Sequence, residues 1–350
     1  MKPILYLLFA ALIISGCKKN HQDPQKHSVD VYISGTSVGD VDHWETIAGY
    51  WKNGVLTTVD DPAHKSEGYG ITVKDNDVYV VGATFDPVKR IMVAAYWKNG
   101  AVNLLPGDGN HSSEATSIII NNSDIYIAGS SYLQGEEWER KDVSAVYWKN
   151  GERHVMGAFY NVGIEVKGND IYSAGAMPYA YAKYRAIFWK NGIVTDLAPG
   201  QDAYVKDIYI QGNDVYVLGQ VKTTAWYAGT YWKNGIPVQL LPDTASFFPR
   251  SIVAVNSDVY VGFDVSSGDH SIPYYWKNGN MIKVAESGYI AGLAVNGEDV
   301  YVCGILTNNI FPLAFYSVNG VAKPLDGAFL DLETQSKKYA TTSGIVIVKH

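Results

Sequence analysis

Two short phrases recur seven times along this chain of 350 residues. One is an aspartate followed by a β-branched and aromatic run, as in residues 77–82, and its tyrosine recurs every 41 to 47 residues. The other is Tyr-Trp-Lys-Asn-Gly or a close variant, which ends at Gly100 in the second copy. A period of about 45 residues with only strand-like segments is typical of propeller blades. The repeated tyrosines are Tyr32, Tyr79, Tyr126, Tyr172, Tyr216, Tyr260 and Tyr301.

Each period divides into four strand candidates, which we name A to D in chain order. In the second copy, Asn99-Gly100 joins strands C and D, and Asn-Gly supplies the two positive-φ residues of a type I′ hairpin. Strand B, residues 78–81 in this copy, is apolar on both faces, which indicates that neighbouring blades cover both of them.

The two ends of the repeat region complement each other. The first period begins at a strand B, and the chain finishes with a strand A, Gly344–Ile347, that no strand B follows. Pairing these segments would close the ring and remove its open sheet edge. The sequence therefore predicts one all-β domain, residues 28–350, that is a seven-bladed β-propeller of four-stranded antiparallel blades with the C-terminal strand in blade one.

The repeated phrases resemble known repeats. They are loosely similar to kelch repeats, which place glycines after strand B and a tryptophan in strand C, but here a single glycine follows strand B and a Lys-Asn-Gly turn follows Trp97. They are also similar to repeats in lipoproteins of Gram-negative bacteria. That second resemblance covers essentially the whole mature chain and implies a propeller in the cell envelope, without implying an activity.

The N-terminus has the features of a lipoprotein signal peptide. Lys2 precedes an apolar run, residues 4–14, that is too short to span a bilayer as a helix. The run ends in Ile-Ser-Gly-Cys, which resembles a lipobox and implies removal of residues 1–16 and lipidation of Cys17. We expect residues 17–27 to be a flexible tether, and the lipid to be the protein's attachment to the outer membrane, on its periplasmic or outer side. An ordinary secretory signal with an incidental cysteine is the alternative.

Composition and motifs exclude several function classes. The formal net charge is −7 and no basic stripe is present, which argues against nucleic-acid binding. The histidines lack metal-ligand spacing, and neither a nucleophile-elbow motif nor a phosphate loop occurs. We therefore expect a monomer with no metal, no cofactor and no catalytic motif.

The two faces of the predicted ring differ. The A–B and C–D turns are short and alike, whereas the B–C and D–A loops are long and dissimilar, and variable loops on a rigid scaffold commonly carry function. Aromatic residues in those loops suit stacking on sugar rings or anchoring a protein partner, although they could instead pack over the blade ends. The candidates for a ligand-binding face are Trp44, Phe85, Tyr132, Trp138, Tyr179, Tyr181, Trp226, Tyr227, Phe247 and Tyr289.

Charged residues in two strands A depart from the repeat. Lys206 and Asp207 stand where most copies have small or neutral residues, and Arg250 is at the position equivalent to Lys206 in the next blade. We expect these three residues at the mouth of the central channel, where they would hold an anionic group or form a local ion pair.

These patterns favour a membrane-anchored, non-catalytic binding or scaffold protein whose loop face binds a glycan or an envelope protein. The alternative is a glycoside hydrolase or lyase, because its two carboxylates could come from distant blades and leave no local motif.

Overall fold

The structure is a computed structural model that describes residues 29–38, 46–60, 65–135, 140–180, 183–224, 226–241, 247–307, 312–326 and 339–350. These residues form strands β1 to β28, grouped in seven four-stranded antiparallel sheets. The predicted seven-bladed propeller is confirmed.

The first four blades have the following strands. Blade one contains β28 (Tyr339–Lys349), β1 (Val29–Val38), β2 (Thr46–Lys52) and β3 (Val55–Thr58); blade two contains β4 (Ser66–Lys74), β5 (Asp77–Asp86), β6 (Ile91–Lys98) and β7 (Ala101–Leu104). Blade three contains β8 (Ser112–Asn121), β9 (Asp124–Gln134), β10 (Arg140–Lys149) and β11 (Glu152–Gly157); blade four contains β12 (Tyr160–Lys167), β13 (Asp170–Ala180), β14 (Lys183–Lys190) and β15 (Ile193–Asp196).

The last three blades repeat the arrangement. Blade five contains β16 (Ala203–Gln211), β17 (Asp214–Lys222), β18 (Tyr227–Lys233) and β19 (Ile236–Gln239). Blade six contains β20 (Phe247–Val255), β21 (Asp258–Ser267), β22 (His270–Lys277) and β23 (Asn280–Lys283). Blade seven contains β24 (Gly288–Asn296), β25 (Asp299–Thr307), β26 (Pro312–Val318) and β27 (Val321–Pro324).

The ring closes within blade one, as predicted. Strand β28 lies first in the sheet order β28-β1-β2-β3 and pairs antiparallel with β1, from Val29 opposite Lys349 to Val38 opposite Tyr339. Both ends of the propeller thus belong to one sheet, so backbone hydrogen bonds hold the ring shut.

A cluster of repeated side chains braces the face that carries the A–B and C–D turns. In blade two, Asp77 accepts a 2.7 Å hydrogen bond from Asn99 and forms a 2.7 Å ion pair with Lys98. The Lys98 ammonium lies 5.3 Å from the ring centroid of Tyr79, and Asn99 also accepts a 2.9 Å hydrogen bond from the Val78 backbone. Lys98 and then Asn99 lower the pKa of Asp77. These repeated residues bind one another, which gives them a structural role.

The Asn-Gly turns have the predicted conformation. Their asparagines have φ of 45–52° and their glycines φ of 80–99°, as a type I′ turn requires. The residues are Asn53-Gly54, Asn99-Gly100, Asn150-Gly151, Asn191-Gly192, Asn234-Gly235, Asn278-Gly279 and Asn319-Gly320.

The core lies between adjacent blades. Trp97, on strand β6, is fully buried and belongs to a cluster that includes Tyr32 and Ala48 of blade one and Val80 of its own blade. Equivalent tryptophans are buried in five other blades, and the buried Ser317 takes this place in blade seven. Blade-on-blade packing explains why strands B and C are apolar on both faces.

Candidate functional site: the channel and the loop face

Each innermost strand carries a β-bulge at the same position. In β16, Val205 pairs with Gly219 and Asp207 pairs with Leu218, which leaves Lys206 without a partner in the sheet. The same register shift occurs in all seven blades. A bulge leaves one residue unpaired and redirects its side chain. The seven bulge residues all line the central channel: Tyr69, Thr116, Val162, Lys206, Arg250, Ala291 and Ser343.

The channel contains a cavity of about 270 Å³ that residues from all seven blades line. The position after each bulge is crowded. A Cβ added at Gly70 would lie 2.9 Å from the carbonyl oxygen of Thr116 in the neighbouring strand, which accounts for the small residues that the repeat places here.

The channel-mouth candidates line this cavity but do not pair with one another. Arg250 forms a 2.6 Å ion pair with Asp264, whose side chain is fully buried. Asp207 accepts hydrogen bonds from the Ser251 hydroxyl at 3.0 Å and the Ile252 backbone at 2.8 Å. The ion pair expected among the three candidates does not form between described residues, and Arg250 pairs instead with Asp264, which was not a candidate.

Lys206 has a different environment from these paired residues. Within the described part of the chain it makes neither a hydrogen bond nor an ion pair, although its side chain is exposed to the solvent in the channel. Surrounding protein, and then the nearby charge of Arg250, lower the pKa of Lys206.

Two carboxylates near the channel have raised pKa values. Burial raises the pKa of Asp207 to about 6, although its hydrogen bonds from Ile252 and Ser251 oppose the rise. Burial, and then the charge of Asp207, raise the pKa of Glu165 to about 8. Glu165 is on β12 and is not among the described residues that line the cavity. Both side chains keep partial access to solvent, but the protein around them is close enough to disfavour their charged forms.

An acidic and aromatic cluster lies in blades two and three, and one of its residues, Tyr69, lines the channel. Tyr69 donates a hydrogen bond from its hydroxyl group to Glu67. Glu114 accepts two hydrogen bonds, of 2.6 and 2.9 Å, from Arg140, whose guanidinium lies 4.0 Å from the ring centroid of Tyr132. Burial and the charge of Glu67 raise the pKa of Tyr69, so its hydroxyl group stays protonated and is not an activated nucleophile.

A row of four tyrosines crosses blades four and five at the loop face. The ring centroids of Tyr160 and Tyr184 are 6.2 Å apart, those of Tyr184 and Tyr204 are 4.8 Å apart, and those of Tyr204 and Tyr227 are 5.3 Å apart. Each tyrosine is partly exposed. Tyr227 donates a 2.6 Å hydrogen bond to Asp202. We call these four residues the tyrosine row.

The predicted aromatic residues have unequal environments. Trp226, Tyr179 and Tyr289 are 48%, 44% and 41% exposed. Phe85 is partly buried, and Tyr227 belongs to the tyrosine row. Most of these residues lie on extended strand ends and not in loops, because strands B, C and A continue beyond the repeated phrases.

Two of the predicted aromatic residues are buried. Phe247 is 4% exposed, stacks on Phe263 with centroids 4.3 Å apart and packs over Gly229; Tyr132 is 5% exposed beneath Arg140. Their faces are occupied by protein, so we leave them out of the candidate surface. Cys17, Trp44, Trp138 and Tyr181 lie outside the described residues.

Sequence reasoning overlooked Tyr184 and Tyr204. Each lies near the beginning of a strand, whereas the predicted candidates came from the loops. A signal was present, since Tyr160 and Tyr204 are at equivalent positions of neighbouring strands A.

The described residues lack two further types of feature. No group of His, Cys, Asp and Glu side chains is placed to hold a metal ion. No helix there has the length and apolar character needed to cross a membrane.

Comparison with known proteins supports the fold. No protein-family model matches the chain, and no curated protein matches it. A Mycobacterium tuberculosis puromycin-hydrolyzing peptidase superposes with a TM-score of 0.59 at 9% identity, over 84% of this chain and 51% of that one. Pyrococcus horikoshii acylaminoacyl peptidase gives 0.54 at 13% identity, over 87% and 52%. This chain thus spans about half the length of either peptidase.

A third similar structure is a propeller over nearly its whole length. The β-propeller domain of the Trilobed protease from Pyrococcus furiosus, described as having an open velcro topology, gives a TM-score of 0.52 at 12% identity, over 84% of this chain and 93% of that one. At such identities the likeness shows the propeller fold alone.

Proposed function

We propose that this protein is a lipid-anchored envelope protein that binds a glycan at its loop face. The observation that carries the proposal is the tyrosine row, with successive centroids 4.8 to 6.2 Å apart across two blades. The blade repeat does not demand these rings, and partly exposed aromatic faces suit the apolar faces of sugar rings. Trp226, directly before β18, and Tyr179, on β13, extend the aromatic surface in the same two blades.

Polar groups beside the row suit a ligand rich in hydroxyl groups. Asp202 accepts hydrogen bonds from the Tyr227 hydroxyl and the Tyr184 backbone, and each of its oxygens can accept a further one. Arg185 lies 5.3 Å from the ring centroid of Tyr179, and Lys222 lies 4.7 Å from that of Tyr227. A few polar groups around aromatic walls are the usual composition of a small-molecule or sugar site.

An envelope protein is the other candidate ligand. Phe248 and Tyr289 are each 41% exposed and lie on neighbouring blades six and seven. Exposed aromatic residues of this kind anchor protein partners. The aromatic contacts are more continuous in blades four and five, and for this reason we favour the glycan.

A glycoside hydrolase is the second candidate function. Glu165 and Asp207 come from different blades, and with pKa values of about 8 and about 6 the first is protonated and the second ionised at pH 7. That division matches the acid and the ionised partner of a glycosidase. However, Asp207 already accepts three hydrogen bonds from protein, and Glu165 does not line the cavity, which makes binding the better-supported function.

A glycan array followed by titration calorimetry tests the glycan site. We expect Tyr204→Ala and Trp226→Ala to weaken binding of a glycan found on the array at least several-fold, because each removes a stacking surface. Phe248→Ala is the matched control, since it removes from blade six a ring that is 41% exposed, close to the 48% of Trp226. Equal weakening by all three variants, or no bound glycan, would overturn the site.

The same glycan separates binding from hydrolysis. Incubation with purified protein should release no products. Release of shorter sugars that Glu165→Gln abolishes would favour the hydrolase instead.

Membrane attachment is tested separately. Cys17→Ala should move the protein from the membrane fraction to the soluble fraction, since the lipid is the proposed anchor. A variant that stays with the membrane would refute lipidation as the means of attachment.

A further inference from the structure

The channel contains a cation for which the described part of the chain provides no partner. Lys206 reaches the cavity from its bulge and makes no ion pair or hydrogen bond with any described residue. A confined charge without a counter-charge is unfavourable, because the cavity offers less solvation than bulk water. The lowered pKa of Lys206 has this cause first and the charge of Arg250 second. An anion in the cavity would relieve both effects.

Arg250 places a second cation beside the first. It is the bulge residue of β20, the strand next to β16 in the ring. Its Nε donates to Asp264, which fixes the guanidinium, while its terminal nitrogens donate no hydrogen bond to a described residue. A guanidinium held in this way keeps donors available for a planar or tetrahedral oxyanion.

The carboxylate of Asp207 is not the partner of Lys206, although the two residues are adjacent in β16. One of its oxygens accepts a 2.9 Å hydrogen bond from the Ile208 backbone, and the other accepts from Ser251 and Ile252 of blade six. The carboxylate thus bridges two blades and leaves Lys206 facing the cavity unpaired. The negative charges of Asp207 and Asp264 offset part of the positive potential, so the affinity for an anion should be moderate.

We propose that the channel binds a small oxyanion between Lys206 and Arg250. The cavity, of about 270 Å³, has room for a phosphate, a sulfate or a single acidic sugar, but not for a folded peptide. Ser117 and Ser343 line the same cavity, and their side chains carry hydroxyl groups of the kind that donate to oxyanions. None of the four tyrosines of the row is among the described residues that line this cavity, and the site does not depend on the proposed glycan function.

Titration calorimetry with sulfate at constant ionic strength tests the site. Sulfate keeps the same charge between about pH 5 and 8, so its own protonation does not affect the result. We expect saturable binding to the full mature protein, a loss of at least tenfold in affinity for Lys206→Met, and near-normal affinity for Lys206→Arg. Lys206→Met should not lower the melting temperature, since Lys206 makes no hydrogen bond or ion pair with a described residue that the change could remove.

Lys323→Met, which removes the same charge from the outermost strand of blade seven, is the matched control. Equal weakening by Lys323→Met would show only a non-specific charge effect and overturn the site, as would the absence of saturable sulfate binding by the unaltered protein. Trp226→Ala should leave sulfate binding unchanged.

Glucuronate and glucose identify the source of the oxyanion. Glucuronate that displaces sulfate, while glucose does not, would support the site and assign it to an acidic sugar. Displacement by phosphate but not by glucuronate would support the site and assign it to an inorganic anion.

Discussion

The indole nitrogen of Trp51 donates a 2.7 Å hydrogen bond to the backbone carbonyl of Asp326, 275 residues further along the chain. The Asp326 amide in turn donates a 3.0 Å hydrogen bond to the carbonyl of Gly54. Blades one and seven are therefore joined at their outer part as well as through β28. Closure of the ring depends on contacts between the two ends of the sequence, which local strand formation alone cannot provide.

Deletion of residues 344–350 should open the ring. It removes the pairs from Val29–Lys349 to Ser34–Gly344 and exposes an edge of β1. We expect a lower melting temperature, a less cooperative transition in calorimetry and self-association in gel filtration.

A circular permutant is the control for that deletion. Joining residue 350 to residue 29 by a flexible linker and opening the chain between Gly212 and Asn213 keeps every blade complete. This permutant should unfold nearly as the parent does. A truncated chain with the parent's melting temperature would contradict the role assigned to closure.

Replacing two of the tryptophans should have very unequal effects on the free energy of unfolding. Trp97 is fully buried between blades, and Trp97→Ala should lower the free energy of unfolding by about 3–5 kcal/mol. Trp226 is 48% exposed, and Trp226→Ala should change it by no more than about 0.5 kcal/mol. Urea unfolding measures both. A large loss with Trp226→Ala would show that this ring supports the fold and would remove it from the glycan site.

The ion pair between Arg250 and the fully buried carboxylate of Asp264 should behave asymmetrically. Arg250→Met leaves a fully buried carboxylate without its partner, and we expect a loss of about 3–5 kcal/mol in the free energy of unfolding. Replacing both residues, as Arg250→Met with Asp264→Leu, should recover a large part of that loss. A double mutant less stable than Arg250→Met alone would argue that Asp264 acts mainly through its 2.8 Å hydrogen bond from Ile290.

Glu165 should make the fold less stable as pH rises. Its pKa is raised from 4.5 to about 8, so the folded state holds the proton more tightly than the unfolded state does. The favourable contribution is complete below about pH 4.5 and is lost as pH rises through 8. Glu165→Gln should flatten the decline in unfolding free energy between pH 5 and 9 and stabilise the protein at pH 9 relative to its parent.

Asp77→Asn provides the comparison for this pH series. The pKa of Asp77 is lowered, so its contribution changes only at acid pH, and the slope between pH 5 and 9 should match the parent's. An unchanged slope in Glu165→Gln would mean that this carboxyl group is ionised in the folded protein at neutral pH.

The repeat made most of the fold predictable. Strands, turns and closure follow from residues that recur, because each blade imposes the same demands at the same positions. Strand lengths were underestimated: strand B of blade two was expected at residues 78–81 but is β5, Asp77–Asp86. Beyond the phrase the ladder continues with unlike residues, such as Phe85 opposite Met92, which carry no repeated signal.

The site was less predictable for a related reason. Lys206 and Arg250 were identified because they depart from the repeat. Asp264 was not identified, because its ion pair with Arg250 is a side-chain contact between strands β21 and β20 that the repeat pattern does not indicate. The burial of Phe247 depends on the space over Gly229, which is visible only when the strands are assembled. The bulges were also missed, because their seven residues share no chemical type.

The bulge residues have a consequence for how such a ring can diversify. Each is outside the backbone ladder of its sheet, so a change of side chain there leaves the hydrogen bonds between strands intact. The seven bulge positions line the channel together, and each can be changed separately while the blades stay the same. Exchanging them among relatives with the same blades, with Arg250 kept because of its ion pair with Asp264, should give proteins of similar stability whose channels select different solutes.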